Sequence, residues 1–255
     1  MEARLPQEKT DKICDFIFKL HKRSSCTKRE LLQLQGHLNF ASPVILPGRS
    51  FVSYLIKLST SVSELHHFVH LNKECRIDLE FWLRFLKNWN GINMFYSAFF
   101  ISNFDMELFT DESSTLGFGG FFREKWFYSS WPSELNNLTE GHLSMAFLEL
   151  YPVVVAAILW RESWKSQKIL FWSDTVSTVD IIRKGRSYYI LKLMRKLTCC
   201  ACTYNFSFSA KHIQGFKNEI SDSLSRFQIQ RFKTLAPGAD LHPCPCPDSS
   251  EVKWR

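Results

Sequence analysis

The sequence predicts an α/β fold, a mixed five-stranded sheet flanked by helices, preceded by a mainly helical region. Three observations predict it. The hydrophobic period is helical over residues 1–100 and turns strand-like afterwards. Beyond residue 100, three short apolar runs with tight turns are followed by alternating helical and strand segments, the order that builds a mixed sheet with helices on it. The chain has 255 residues, 45% hydrophobic and 22% charged, which suffices for one large domain or two small ones with their own cores.

Within the first hundred residues, Ile13, Phe16, Ile17 and Leu20 recur at helical spacing, as do Leu31, Leu34, Leu38 and Ala41. Thr27 followed by Glu30 has the form of a capping box, so a helix should start near Lys28 and end before Pro43. PGRS at 47–50 reads as a turn into the helix FVSYLIKLS. A further helix is expected over 74–88, with Leu79, Trp82, Leu83 and Leu86 on one face and Gly91 beyond its end.

Three strands follow, MELFT (106–110), GFGGFF (117–122) and KWFYSSW (125–131), with turns short enough for an antiparallel meander. Then come a helix at 147–162, the strand KILFWS (168–173), helices at 176–184 and 188–201, the strand 205–213 and a last helix at 218–227. The Pro-, Ser- and Asp-rich end, APGADLHPCPCPDSSEVKWR, is expected to be disordered. The expected division is therefore a helical region at 1–100, an α/β domain at 104–228 and a disordered tail at 229–255.

No run reaches the roughly 18 uninterrupted apolar residues of a membrane span. The charged start, MEARLPQEKTDK, lacks an apolar signal core. An intracellular protein without a membrane partner is the simplest reading, with nucleus and cytoplasm both open. The eight cysteines then read as reduced thiols rather than a disulfide framework. Cys199, Cys202 and His212 make a poor zinc site, because the C-x-x-C has no second pair. Net charge is +7, unevenly spread: residues 101–179 carry five basic and ten acidic side chains, residues 180–230 nine basic and three acidic. An acidic half joined to a basic half suits metal ligands beside a polyphosphate track, although two ordinary solvated faces would look the same.

Four acids sit where this architecture can gather them. Asp111 ends the first strand of the meander and Asp174 closes KILFWS. Glu149 is expected at a helix start fixed by Pro152, where the helix dipole favours its ionised form. Asp222 lies early in the last helix. Singly, Asp111 and Asp174 could be turn residues and Asp222 a cap. Jointly they form a carboxylate cluster, which a divalent cation would neutralise, and hard oxygen ligands select Mg²⁺ or Mn²⁺ over zinc.

These segments carry a family resemblance. TDESSTLGFGGFF (110–122) resembles the opening of retroelement ribonuclease H domains, an Asp, a small polar turn and Gly-aromatic-Gly. FLELYPVVVAAILW (147–160) is similar to their E-L-x-P-x-x-x-A helix. ILFWSDTVSTVDIIRKG (169–185) looks like their fourth strand, its Asp and the next helix. AKHIQGFKNEISDSLSR (210–226) resembles their H-I-P-G-x-x-N-x-x-A-D-x-L-S-R close, with Gln214 in place of Pro and Ser221 in place of Ala. Upstream, RELLQLQGHLNFASPVILPGRSFVSYLIKL (29–58) resembles the thumb region that follows the polymerase palm in DIRS-like and related retrotransposons. Together the resemblances cover most of residues 5–228, and no adjacent Asp-Asp of a palm occurs in the chain.

The resemblance implies a ribonuclease H-like fold and metal-ligand roles for Asp111, Glu149, Asp174 and Asp222. The implied reaction is hydrolysis of the RNA strand of an RNA–DNA hybrid by two ions roughly 3.5–4 Å apart, with the 2′-hydroxyl distinguishing RNA. His212, before the last helix, reads equally as an assistant to metal or product release and as a histidine hydrogen-bonded at a strand end. Lys184, Arg186, Lys211 and Lys217 are the candidate phosphate contacts. A polymerase subunit or other retroelement proteins are the implied partners. Two rival readings stand beside this one: an inactive element remnant that binds nucleic acid, and another nuclease of the same fold, such as an integrase or resolvase.

Overall fold

The computed structural model describes residues 2–42, 44–45, 51–88, 92–93, 101–102, 108–136, 145–173, 188–212 and 218–253. They belong to two units, Met1–Phe95 and Tyr96–Arg255.

In the first unit, β1 (Glu2–Ala3) precedes α1 (Gln7–His21), β2 (Ser25–Thr27) and α2 (Lys28–Ala41). Then come α3 (Ser53–Ser59), β3 (Phe68–His70), α4 (Lys73–Asn88) and β4 (Ile92–Asn93). The capping box forms as its spacing predicts: Thr27 Oγ1 accepts from the Glu30 backbone N–H at 3.3 Å and Glu30 Oε2 accepts from the Thr27 N–H at 2.8 Å. Ile13, Ile17 and Leu20 of α1 are buried with Leu31, Leu34 and Leu38 of α2 and Leu79, Trp82 and Leu86 of α4. The Arg76 guanidinium donates to the His21 and Arg23 carbonyls, each at 2.6 Å, and so serves carbonyls that the end of α1 leaves without helical partners. Two antiparallel pairs, β1–β4 and β2–β3, interrupt a region read as helical. Two- and three-residue strands are too short for period-two alternation to register in sequence.

The second unit opens with β5 (Ile101–Ser102), β6 (Leu108–Glu112), β7 (Gly117–Phe122) and β8 (Lys125–Ser130). It continues with α5 (Ser133–Asn136), α6 (Met145–Trp160), a 3-10 turn (Arg161–Trp164) and β9 (Lys168–Ser173). Last come α7 (Tyr188–Thr203), β10 (Ser207–His212), α8 (Glu219–Ser225), α9 (Ile229–Leu235) and α10 (Ser249–Val252). Strands β6, β7 and β8 form the expected antiparallel meander, while β9 pairs in parallel with both β10 and β5. The described strands of this unit thus lie in two three-stranded sheets rather than one of five. Residues 103–107, between β5 and β6, lie outside the described residues, as do the expected helix at 176–184 and Gly91.

Both sheets contribute to one core. Phe118, Phe122 and Phe127 of the meander share it with Ile169 and Phe171 of β9, and α6 and α7 supply its helical side. The meander's other face carries Phe121 and Trp126, covered by Leu224 of α8 and Phe232 of α9. With both faces covered, every residue of β7 is buried.

Two expectations give way. Pro152 lies well inside α6, so Glu149 is in the helix body and not at a dipole-favoured start. Pro152 has no N–H for the Leu148 carbonyl and crowds it, at a cost of about 3 kcal/mol. Burial of α6 on nearly every side offsets that cost, since a helix apolar all round is held by its surroundings.

The segment 229–253 is also folded, not disordered. After α9 the chain runs along the outer edge of β8. Asp240 N–H donates to the Glu124 carbonyl, Trp126 Nε1 to the Asp240 carbonyl and Cys244 N–H to the Trp126 carbonyl, all at 2.7 Å. The Cys246 thiol lies 3.7 Å from the Tyr128 carbonyl, and burial pushes it up to about 12. Val252 of α10 is fully buried in the main core. Composition missed this strap because backbone groups make much of its attachment and only a few apolar side chains complete it.

Candidate active site

Asp111 is the penultimate residue of β6, not its end, and stands opposite Gly119 of β7. A Cβ on Gly119 would lie 2.4 Å from Leu224 Cβ, and one on Gly117 would lie 2.8 Å from the Phe227 ring. These glycines let α8 and the turn after it settle onto the β7 backbone. That is the physical content of the Gly-aromatic-Gly motif here.

The close approach brings two polar side chains to Asp111. Asn218 Nδ2 donates to Asp111 Oδ1 at 3.1 Å and to the Thr110 carbonyl at 3.0 Å. Ser225 Oγ lies 2.7 Å from Asp111 Oδ2 and 3.0 Å from the Asp222 carbonyl. Its single proton is better spent on the carboxylate, where the bond is charge-assisted. Ser221 is buried and donates to Asn218 Oδ1 at 2.5 Å, which turns the amide nitrogen towards Asp111. Ser221 thus has a partner and a task.

Asp222 lies in the first turn of α8. Arg226 Nε donates to its Oδ1 at 2.6 Å and Arg231 Nη1 to its Oδ2 at 3.1 Å. The hydrogen bond to Asp222 and then that carboxylate's charge hold the Arg226 guanidinium above its ordinary pKa, and Asp111 and Glu112 add to the effect. One guanidinium therefore sits in the field of three carboxylates.

The other expected site residues are placed as follows. Glu149 is half-buried in the body of α6. Asp174, the residue after Ser173, lies outside the described residues, as do Lys184, Arg186 and Lys217. His212 closes β10 with its backbone opposite Ser173. Its side chain is outside the described part. Lys211 is exposed on the same strand. Sequence reasoning assigned no role to Asn218, Ser225 or Arg226, though the matched closing motif contained all three. Arg231 lay in the segment read as tail.

Carboxylate oxygens are hard donors, and in kind Asp111 and Asp222 fit a divalent ion such as Mg²⁺ or Mn²⁺. Among the described residues no three His, Cys, Asp or Glu side chains gather closely enough to hold a metal ion. Of the four expected ligands Asp111, Glu149 and Asp222 are described, and Ser225 links the Asp111 carboxylate to the Asp222 backbone. All eight cysteines are unbridged. No helix among the described residues is long and apolar enough to cross a membrane.

No protein-family model and no curated protein matches the chain. Among solved structures it is similar to a foamy viral protease-reverse transcriptase in complex with double-stranded DNA. That match has a TM-score of 0.30 and 15% identity and covers 82% of this chain and 42% of that one. A second such complex, described as dRH, gives a TM-score of 0.31 and 15% identity over 81% of this chain and 35% of that one. The same viral protein with an RNA/DNA hybrid gives 0.29 and 14%, over 81% of this chain and 27% of that one. The chain thus spans less than half the length of each of these three proteins.

Proposed function

We propose that this chain is the thumb and ribonuclease H portion of a retroelement reverse transcriptase, DIRS-like or related. In this reading it hydrolyses the RNA strand of RNA–DNA hybrids. The observation that carries the reading is the tie between Asp111 and Asp222, two acids singled out by the motifs. One short helix, α8, carries Asp222 and supplies Ser225 to Asp111, and Asn218, at its start, reaches the same carboxylate.

Asp111, Glu149, Asp174 and Asp222 would hold two Mg²⁺ or Mn²⁺ ions in a ribonuclease H-like fold. Such ions, when bound, supply an activated water and stabilise the leaving oxygen. The chain's own residues do the positioning. Asn218 and Ser225 hold both oxygens of Asp111, so the carboxylate cannot rotate away. Lys211, with Lys184, Arg186 and Lys217, would meet phosphates, and His212 would assist release of metal or product. A polymerase subunit or other retroelement proteins are the protein partners of this reading.

One observation favours the rival reading of an inactive remnant that binds nucleic acid: arginines engage both oxygens of Asp222. Single-turnover cleavage of a labelled hybrid in Mg²⁺ decides between them. Asp111→Asn should lower the rate by orders of magnitude while circular dichroism stays unchanged, because a charge needed to position the ions is gone. Asp174→Asn should behave alike, and His212→Ala should cost less. A folded Asp111→Asn protein cutting at the wild-type rate removes Asp111 from the active site and with it the main support for the assignment.

A further inference from the structure

The two arginines on Asp222 reach it from different places. Arg226 follows α8 one turn after Asp222, whereas Arg231 belongs to α9, outside the motif that carries the family resemblance. The chain reverses between the helices at Phe227, whose φ of 58° is left-handed, and the Gln228 N–H returns to the Ser223 carbonyl at 2.8 Å. That reversal brings Arg231 back over Asp222. Gln228 Oε1 gives Arg231 Nη1 a second acceptor at 3.1 Å. The arrangement is built from three residues and a turn.

We propose that Arg231, together with Arg226, is a resident counter-ion of Asp222 that an incoming divalent ion displaces. This rests on the ribonuclease reading and makes Arg231 a positioning residue. The charges argue for exchange rather than coexistence. Two guanidiniums engage both oxygens of Asp222, so a divalent cation can take those oxygens only when at least one guanidinium, which would repel it at contact, has left. Leaving is easy: the Arg226 and Arg231 side chains are 52% and 43% exposed and can swing into water. A released guanidinium at the rim of the site is then placed to meet a phosphate of the hybrid. Metal entry and substrate capture are coupled in this way, and without metal the acids stay neutralised.

The test is binding of Mn²⁺ alone, followed by the loss of its free electron paramagnetic resonance signal, in the full chain and in Arg231→Gln. Removing the competitor should tighten Mn²⁺ binding about two- to fivefold, the worth of an ion pair this exposed. Gln228→Ala unseats Arg231 without changing charge and should shift affinity the same way by less. Asp222→Asn should abolish the response to either change. Equal or weaker Mn²⁺ binding by folded Arg231→Gln overturns the proposal and leaves the ribonuclease reading standing. Mn²⁺ binding in Asp222→Asn as tight as in the wild type also overturns it. A wild-type chain that binds no Mn²⁺ and cuts no hybrid overturns both.

Discussion

Gly119 and Asp111 face each other across two strands, and the absence of a side chain on one positions the other. In Gly119→Ala the new methyl would lie 2.4 Å from Leu224 Cβ, a contact that only a shift of helix or strand can relieve. Overpacking of this kind costs about 1–3 kcal/mol. The shift also draws Ser225 and Asn218 away from Asp111. Urea unfolding should show that loss, and hybrid cleavage should fall at temperatures where the variant remains folded. Unchanged stability would mean that α8 is not seated as closely as described. Ser221→Ala should cost only about 1 kcal/mol, the worth of one hydrogen bond. The motifs that single out Asp111 and Asp222 were legible in the sequence because their spacing is local. What holds them was not, since Ser225 and Asp111 meet across 114 positions.

The start of α2 and the course of α6 show where local signals suffice and where they fail. Thr27 and Glu30 exchange hydrogen bonds across three residues, so four letters of sequence contain the whole cap. Thr27→Ala should cost about 1 kcal/mol in urea unfolding. Glu30 adds a pH dependence. Its carboxyl is held below the ordinary range, chiefly by the hydrogen bond from Arg23, against the opposing effect of burial and with help from Thr27. A folded pKa below the unfolded one stabilises above the unfolded value, about 4.3. That contribution is lost as pH falls through the folded value. The advantage of the wild type over Glu30→Gln should therefore be present at pH 7, stay below about 1 kcal/mol because the pair is part-exposed, and shrink in strongly acid solution. An advantage that grows on acidification would mean the ion pair is not formed. Pro152 is the opposite case. Its residue type announces a helix start, but Ala146, Phe147 and Leu148 before it are buried, and tertiary packing extends the helix past the local signal.

For the molecule as a whole, the hydrophobic period marked most described helices and the strands of the meander, while the strap at 236–253 escaped it. Pro, Ser and Asp make the strap look like a linker, yet Val252 is buried and the backbone is bonded to Glu124, just before β8, and to Trp126 within it. A chain ending at Ala239 should unfold more readily and self-associate, because β8 would then offer unpaired backbone groups at the sheet's margin. Light scattering against concentration checks this, and scattering equal to that of the whole chain would show that the strap is dispensable. The order of synthesis gives the same feature another meaning. A ribosome delivers the strap after every strand it protects, so the nascent domain passes through an interval in which its meander is assembled but unsealed. Crowding among neighbouring nascent chains is most dangerous during that interval. Chaperone dependence should therefore concentrate between emergence of the meander and docking of Val252.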